Sequence, residues 1–187
     1  MINLIYEILV ISDTHGKLNK IRDIWPKLTD INLIIHAGDF ISDGNKLERE
    51  LKVPVLAVKG NCDGGYSRND FKTFDTEYGK IMITHGHMEN VKYQLNTLMY
   101  KAMENQCKAV VFGHTHKALI EHEQGIYLIN PGSLTLPRDG SSGSYAIIRT
   151  SKDSFDASIV YYSTIMGNKK PPQAGFIRNL LNYSDRF

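Results

Sequence analysis

Long apolar runs are missing from this chain. Its longest, such as "EILVIS" and "INLIIHAGD", fall well short of the roughly 20 residues that cross a bilayer, so no membrane partner is expected. The start, "MINLIYEILVISD", lacks a basic stretch leading into a cleavable apolar segment, so no secretory signal is expected. Cysteine is scarce as well, with only Cys62 and Cys107 present. A chain of 187 residues can bury a core without disulfides, and two unclustered thiols suit a reducing, cytoplasmic setting. Nor is there an excess of one charge: 22 Lys and Arg stand against 20 Asp and Glu, a formal net charge of +2. Without an extended basic block, nucleic acid is not an expected partner, although a nucleotide substrate stays open. Repeats and low-complexity segments are absent too, and the 42% apolar, 22% charged composition is that of a globular domain.

What is present is a series of short apolar, β-branched runs that end in polar and glycine residues. "YEILVIS" stops at "DTHG", "INLIIHA" at "GDF", "VPVLAVK" at "GNCDGG", "KIMIT" at "HGH" and "KAVVF" at "GHTH". Runs of this length read as buried strands. Between the first two, Leu18, Ile21, Ile24, Trp25 and Leu28 fall at helical spacing, with Pro26 weakening the last turn. "NVKYQLNTLMYKAMENQ" reads as a longer helix with one apolar stripe from Val91 to Met103. After "GHTH" the runs "KALIEHE", "GIYLIN", "SYAIIRT" and "SFDASIVYY" follow one another across short turns, which predicts antiparallel strands. Strand-helix alternation followed by hairpins implies an α/β architecture of mixed sheets flanked by helices.

Composition shifts near residue 164. The domain is therefore expected over 1–163, followed by a basic C-terminal tail over 164–187 of net charge +3, in which "FIRNLLNY" reads as a short helix. The loops "ISDGNK" and "GGYSRNDF", with Tyr66 and Arg68, are expected to form pocket walls.

A metal-capable side chain follows every one of the five strands: Asp13 and His15, then Asp39, Asn61, His85, and finally His114 with His116. Ligand sites of open α/β sheets gather beyond the carboxyl ends of strands, so these loops can converge. Four imidazoles, two carboxylates and an amide oxygen exceed one tetrahedral ion and suit two cations of higher coordination. Asp39 is the natural bridge, one oxygen to each. Two such cations about 3.5–4 Å apart can hold a water as hydroxide and clamp phosphate oxygens for in-line attack. The mixed oxygen and nitrogen set favours manganese, with nickel, iron or zinc next, over magnesium. Taken singly, each motif is ordinary turn chemistry; the signal is the five together.

In order, "DTHG", "GDF", "GNCD", "THGH" and "GHTH" resemble the signature of the calcineurin-like metallophosphoesterase superfamily. The length, "IHAGD" and "NPGS" resemble its small phosphodiesterase branch, over roughly residues 8–163. The resemblance implies a four-layer αββα sandwich of two mixed β-sheets, with a dimetal site at the sheet edge. One metal would take Asp13, His15, Asp39 and His116, and the other Asp39, Asn61, His85 and His114. The implied activity is a phosphodiesterase, a phosphoric diester hydrolase acting on a small phosphodiester substrate with a metal-bridging hydroxide as nucleophile. Asp39, Asn61, His85 and His87 stand in the catalytic set, His87 by reaching the phosphate or orienting a ligand. The same fold resembles a retromer scaffold subunit, so a binding module is the alternative, and a homo-oligomer is consistent with the resemblance.

Many superfamily members carry a histidine where Cys62 stands, placed to protonate the leaving oxygen. Losing a general acid costs about 10²–10⁴-fold, least where the leaving group is a stable anion. Activated or aryl diesters are therefore the expected substrates. His36 is expected to pack or hydrogen-bond under the site, His122 to be exposed, and Asp63 to serve a turn or a ligand.

Overall fold

The computed structural model describes residues 6–64 and 71–167. The tail helix expected at "FIRNLLNY", and Tyr66 with Arg68, lie outside the described residues. Among the described residues, ten strands form two mixed sheets of five. The first sheet contains β1 (Tyr6–Ile11), β2 (Ile31–His36), β3 (Val55–Ala57), β9 (Ser144–Thr150) and β10 (Phe155–Tyr161), in the order β10-β9-β1-β2-β3. The second contains β4 (Phe71–Asp75), β5 (Lys80–Thr84), β6 (Cys107–Val111), β7 (Ala118–Glu123) and β8 (Ile126–Pro131), in the order β4-β5-β6-β8-β7. β1, β2 and β3 run parallel, as do β5, β6 and β8. The strands after "GHTH" meet the antiparallel expectation in the β7–β8 and β9–β10 pairs. β8 is in addition parallel to β6, because it returns beside β6 once β7 has turned back.

Strand alternation makes the layers. In β1, Ile8 and Val10 point to the space between the sheets, with Ile35, Ile83, Val111 and Ile148. Leu9 and Ile11 point the other way, under Ile21, Ile24 and Leu47 of the helices. In the second sheet Met82, Val110 and Leu128 face outward against Leu98, Met99 and Ala102. Both faces of each sheet are thus covered, which is why the central strands read as continuous apolar runs. The result is the expected four-layer sandwich.

The first helix ends where Pro26 was expected to weaken it, and the later helices depart from expectation in three places. α1 (Asn19–Ile24) ends in a 3₁₀ turn at Trp25–Lys27, where Pro26 removes a backbone donor. α2 (Ile41–Leu51) includes "ISDGNK", read above as a loop. It is a helix because Leu47 buries against the sheet and Asp43 finds its partners in another loop. α3 (Asn96–Glu104) starts five residues later than its apolar stripe, since residues 90–93 are turns that carry Val91 into the core. α4 (Tyr162–Met166) crosses residue 163 and packs Ile165 and Met166 against the α1 side.

Candidate metal centre

The carboxyl ends of β1, β2, β3, β5 and β6 open into the five motif loops, and backbone hydrogen bonds lace these loops together. Asp13 N donates to Gly38 O at 3.0 Å, and Gly113 N donates to His85 O at 3.1 Å. His114 N donates to Asp13 Oδ2 at 3.0 Å, and Cys62 N to Asp39 Oδ1 at 2.9 Å. Glycine makes this density feasible: a Cβ on Gly60 would overlap Asp39 Oδ1, and one on Gly113 would overlap Ser12 Oγ.

The seven expected ligand residues all lie at this edge. Asp13, His15, Asp39 and His116 bring one ligand atom each within 4.8 Å of one another. His15 Nε2 stands 3.5 Å from Asp39 Oδ2, and His116 Nε2 stands 3.2 Å from Asp13 Oδ1. On the other oxygen of Asp39, His85 Nε2 lies 3.4 Å from Oδ1 and 3.2 Å from Asn61 Oδ1. The His114 ring sits edge-on to His85, with centroids 5.0 Å apart, and His87 lies 5.4 Å from His85 and 6.1 Å from His114. Asp39 therefore turns its two oxygens to two different histidines.

Ring orientation is set from behind. His85 Nδ1 lies 2.8 Å from Ala37 O, and His116 Nδ1 lies 2.7 Å from Leu136 O. A carbonyl can only accept, so each Nδ1 carries a proton and each ring turns its Nε2 toward the carboxylates, where in the neutral form it offers a lone pair. Asp13 Oδ1, fully buried, accepts no hydrogen bond. Lone pairs facing an unpartnered anionic oxygen repel one another unless a cation lies between them. The donors are oxygens and imidazole nitrogens without a thiolate, so the residues fit divalent cations.

Electrostatics agree with this crowding. Burial opposes the charged form of Asp13, yet His116 and His85 outweigh it and hold the carboxyl below its usual range. Burial, with His85 and Lys92 adding to it, pushes the His114 ring down to about 4. At His116 burial is overcome by Asp13, so its pKa rises and protons compete with a cation there. The backbone is strained at the same residues. Asp13, His15, Asp39, His114 and His116 all have φ between 48° and 69°, a region that costs a non-glycine residue about 1 kcal/mol or more.

The profile of the calcineurin-like phosphoesterase superfamily domain matches residues 6–153. The chain belongs to this superfamily. Among its relatives, probable metallophosphoesterase YsnB of Bacillus subtilis is 35% identical over 160 residues, covering 83% of this chain and 89% of the relative. Phosphodiesterase MJ0936 of Methanocaldococcus jannaschii is 31% identical, covering 66% of this chain and 81% of the relative. Vacuolar protein sorting 29 from Cryptosporidium parvum has the same fold, with a TM-score of 0.66 at 17% identity over 84% of this chain and 98% of its own. Membership of the calcineurin-like superfamily, with a cluster fit for divalent metal, supports phosphoester hydrolysis.

One supporting residue, Asp43, escaped the sequence reading, and others named there take structural roles. Buried Asp43 accepts from Thr14 Oγ1 and from Gly16 N, both at 2.8 Å, and so anchors the "DTHG" loop to α2. The 3-3-4 spacing of Ile41, Gly44, Leu47 and Leu51 was the signal that this segment is helical. Asp63 serves the fold: it accepts from Gly60 N at 2.7 Å and Ile41 N at 2.6 Å. In "NPGS", Asn130 Nδ2 donates to Gly113 O, and Ser133 Oγ donates to Asp13 O. That turn braces two ligand loops at once. His36 is buried beneath the site, 2.9 Å from Thr14 Oγ1, and burial lowers its pKa to about 4. Burial, reinforced by Asp39, pushes the exposed Cys62 thiol up to about 11.

Proposed function

We propose that the chain is a two-metal phosphodiesterase acting on small, activated diesters. The observation that carries this reading is Asp39, whose Oδ2 faces His15 while its Oδ1 faces His85. Asp13, His15, Asp39 and His116 would hold one divalent cation; Asp39, Asn61, His85 and His114 would hold the other, manganese first and nickel, iron or zinc next. When bound, such a pair supplies Lewis-acid charge and lowers the pKa of water toward neutrality. The chain's own residues do the positioning. Ala37 O and Leu136 O keep two imidazoles in the tautomer that can ligate. His87, beside His85 and His114, is placed to meet a phosphate oxygen or to steady the ligand rings. Cys62 stays a neutral thiol that serves the site by position: its backbone N–H donates to Asp39, and its sulfur accepts from Asn61 Nδ2 at 3.4 Å. Without a general acid at that position, leaving groups that are stable anions are favoured.

The test is hydrolysis of bis-p-nitrophenyl phosphate against p-nitrophenyl phosphate. Chelator-stripped protein is titrated with manganese, nickel, zinc and magnesium, beside Asp39→Ala and His114→Ala. Metal-restored turnover of the diester, absent from both variants, is the expected result. No turnover with any metal, in folded protein, overturns the reading and moves attention to a scaffold role.

A further inference from the structure

A pocket of about 650 Å³ opens beside the site, between the turn before α3 and the start of β7. The size suits a nucleotide-sized group. Its wall against the second sheet is apolar, formed by Leu95, Phe112 and Leu119. Tyr93, with 89% of its surface exposed, is an aromatic ring free to cover a planar group at the wall. The polar side is of one sign. Lys92, Lys117 and Arg138 line it, no acid does, and among the described residues none of the three is in an ion pair. Asp139, next in the chain, does not line the pocket and accepts from the N–H groups of Ala118 and Ser141.

The pocket adjoins the GHTH loop of the candidate metal centre. Thr115, which lines it, sits between His114 and His116. Arg138 N donates to His116 O at 3.0 Å and Lys117 follows His116 directly, so two of the cations come from residues beside a candidate ligand. A phosphate held at the cluster therefore has, on the GHTH side, a direction in which an ester arm finds both an apolar wall and positive charge without an ion-pair partner among the described residues. One cation would suffice for a carboxylate; three around one rim match a dianionic phosphate.

From this arrangement we infer that the pocket binds one ester arm of the substrate, and that the arm is a nucleotide unit carrying a second phosphate beyond the scissile one. The inference rests on the phosphodiesterase reading of the adjoining cluster and adds the substrate class.

Two p-nitrophenyl esters of thymidine 5′-phosphate test it, one with a free 3′-hydroxyl and one with a 3′-phosphate. Both release the same leaving group, so a difference reports binding of the extra phosphate. The 3′-phosphate should lower KM about tenfold, and the double variant Lys92→Ala, Arg138→Ala should remove most of that preference. Equal KM values in the unaltered protein overturn the inference. So does an equal loss in Lys27→Ala, Lys152→Ala, which removes two exposed cations away from the pocket. Calorimetry of the metal-free protein with thymidine 3′,5′-bisphosphate separates the pocket from the chemistry. Binding that the double variant loses, with neither ester turned over, supports the pocket and fails the hydrolytic reading. Turnover of both esters without bisphosphate binding does the reverse.

Discussion

Between the two sheets, Ile8, Val10, Ile35, Ile83, Val111 and Ile148 are buried to the last few per cent and meet only other apolar groups. Beyond the carboxyl ends of β1, β2, β5 and β6, which carry all of these but Ile148, the residues are equally buried but of the opposite kind. Asp13, Thr14, Asp39, His85 and His116 are polar, several sit at positive φ, and Asp13 Oδ1 has no donor. The first region gains free energy from burial at about 25 cal/mol per Å². The second spends some of it on desolvation and backbone strain. What the contrast teaches is a division of labour: the sandwich stabilises the fold with enough margin to hold an unfavourable rim in place. Substitutions should therefore act with opposite sign in the two regions.

The sharpest separation is expected from Asp13→Asn. Diester turnover should fall by about 10³-fold or more, since a ligand charge is lost. In metal-free protein at pH 8, denaturant titration should show a gain of about 1 kcal/mol, because an amide N–H can donate to the His116 Nε2 lone pair 3.2 Å away. A loss of stability there would break the contrast. Ile148→Ala should do the reverse, costing about 3 kcal/mol in the same titration, while turnover per folded molecule stays near that of the parent.

The pH profile sharpens the comparison further. His36 is held neutral, its pKa lowered from 6.5 to about 4 by burial. Below pH 6.5 the unfolded chain takes up a proton that the folded one refuses. Stability should thus fall with acid, by up to about 1.4 kcal/mol per pH unit over that window, and His36→Gln should flatten the slope. Unchanged slopes in the two proteins would mean that His36 is not the group responsible. The smallest effect is expected at His15, half-buried with φ 48°. His15→Gly relieves the strained backbone, so the metal-free midpoint should rise by an amount equivalent to at most about 1 kcal/mol. Metal affinity, read by competition with a chelator, should fall.

How far these two regions were legible in the sequence follows from how local their signals are. The core strands announce themselves within five or six residues, as "EILVI" and "KAVVF" do, because burial on both faces demands continuous apolar runs. The rim residues were found the same way, one motif after each run. The antiparallel late strands were legible from their short turns, but the parallel return of β8 beside β6 was not, since β7 intervenes in the chain and not in the sheet order. Asp43 was missed because its meaning depends on Gly16, 27 positions away. "ISDGNK" by itself carries the polar and glycine residues of a turn.

By itself, then, the sequence determined which segments are buried strands and which side chains can ligate metal, since alternation, apolar continuity and residue chemistry are properties of a few neighbours. Tertiary structure alone decided which candidate ligand faces which. That Asp39 divides its oxygens between His15 and His85, that Ala37 O and Leu136 O choose the ring tautomers, and that Lys92 and Arg138 flank one pocket beside the GHTH loop all require loops distant in the chain to meet. Such meetings depend on sheet order and packing, and no local pattern encodes them.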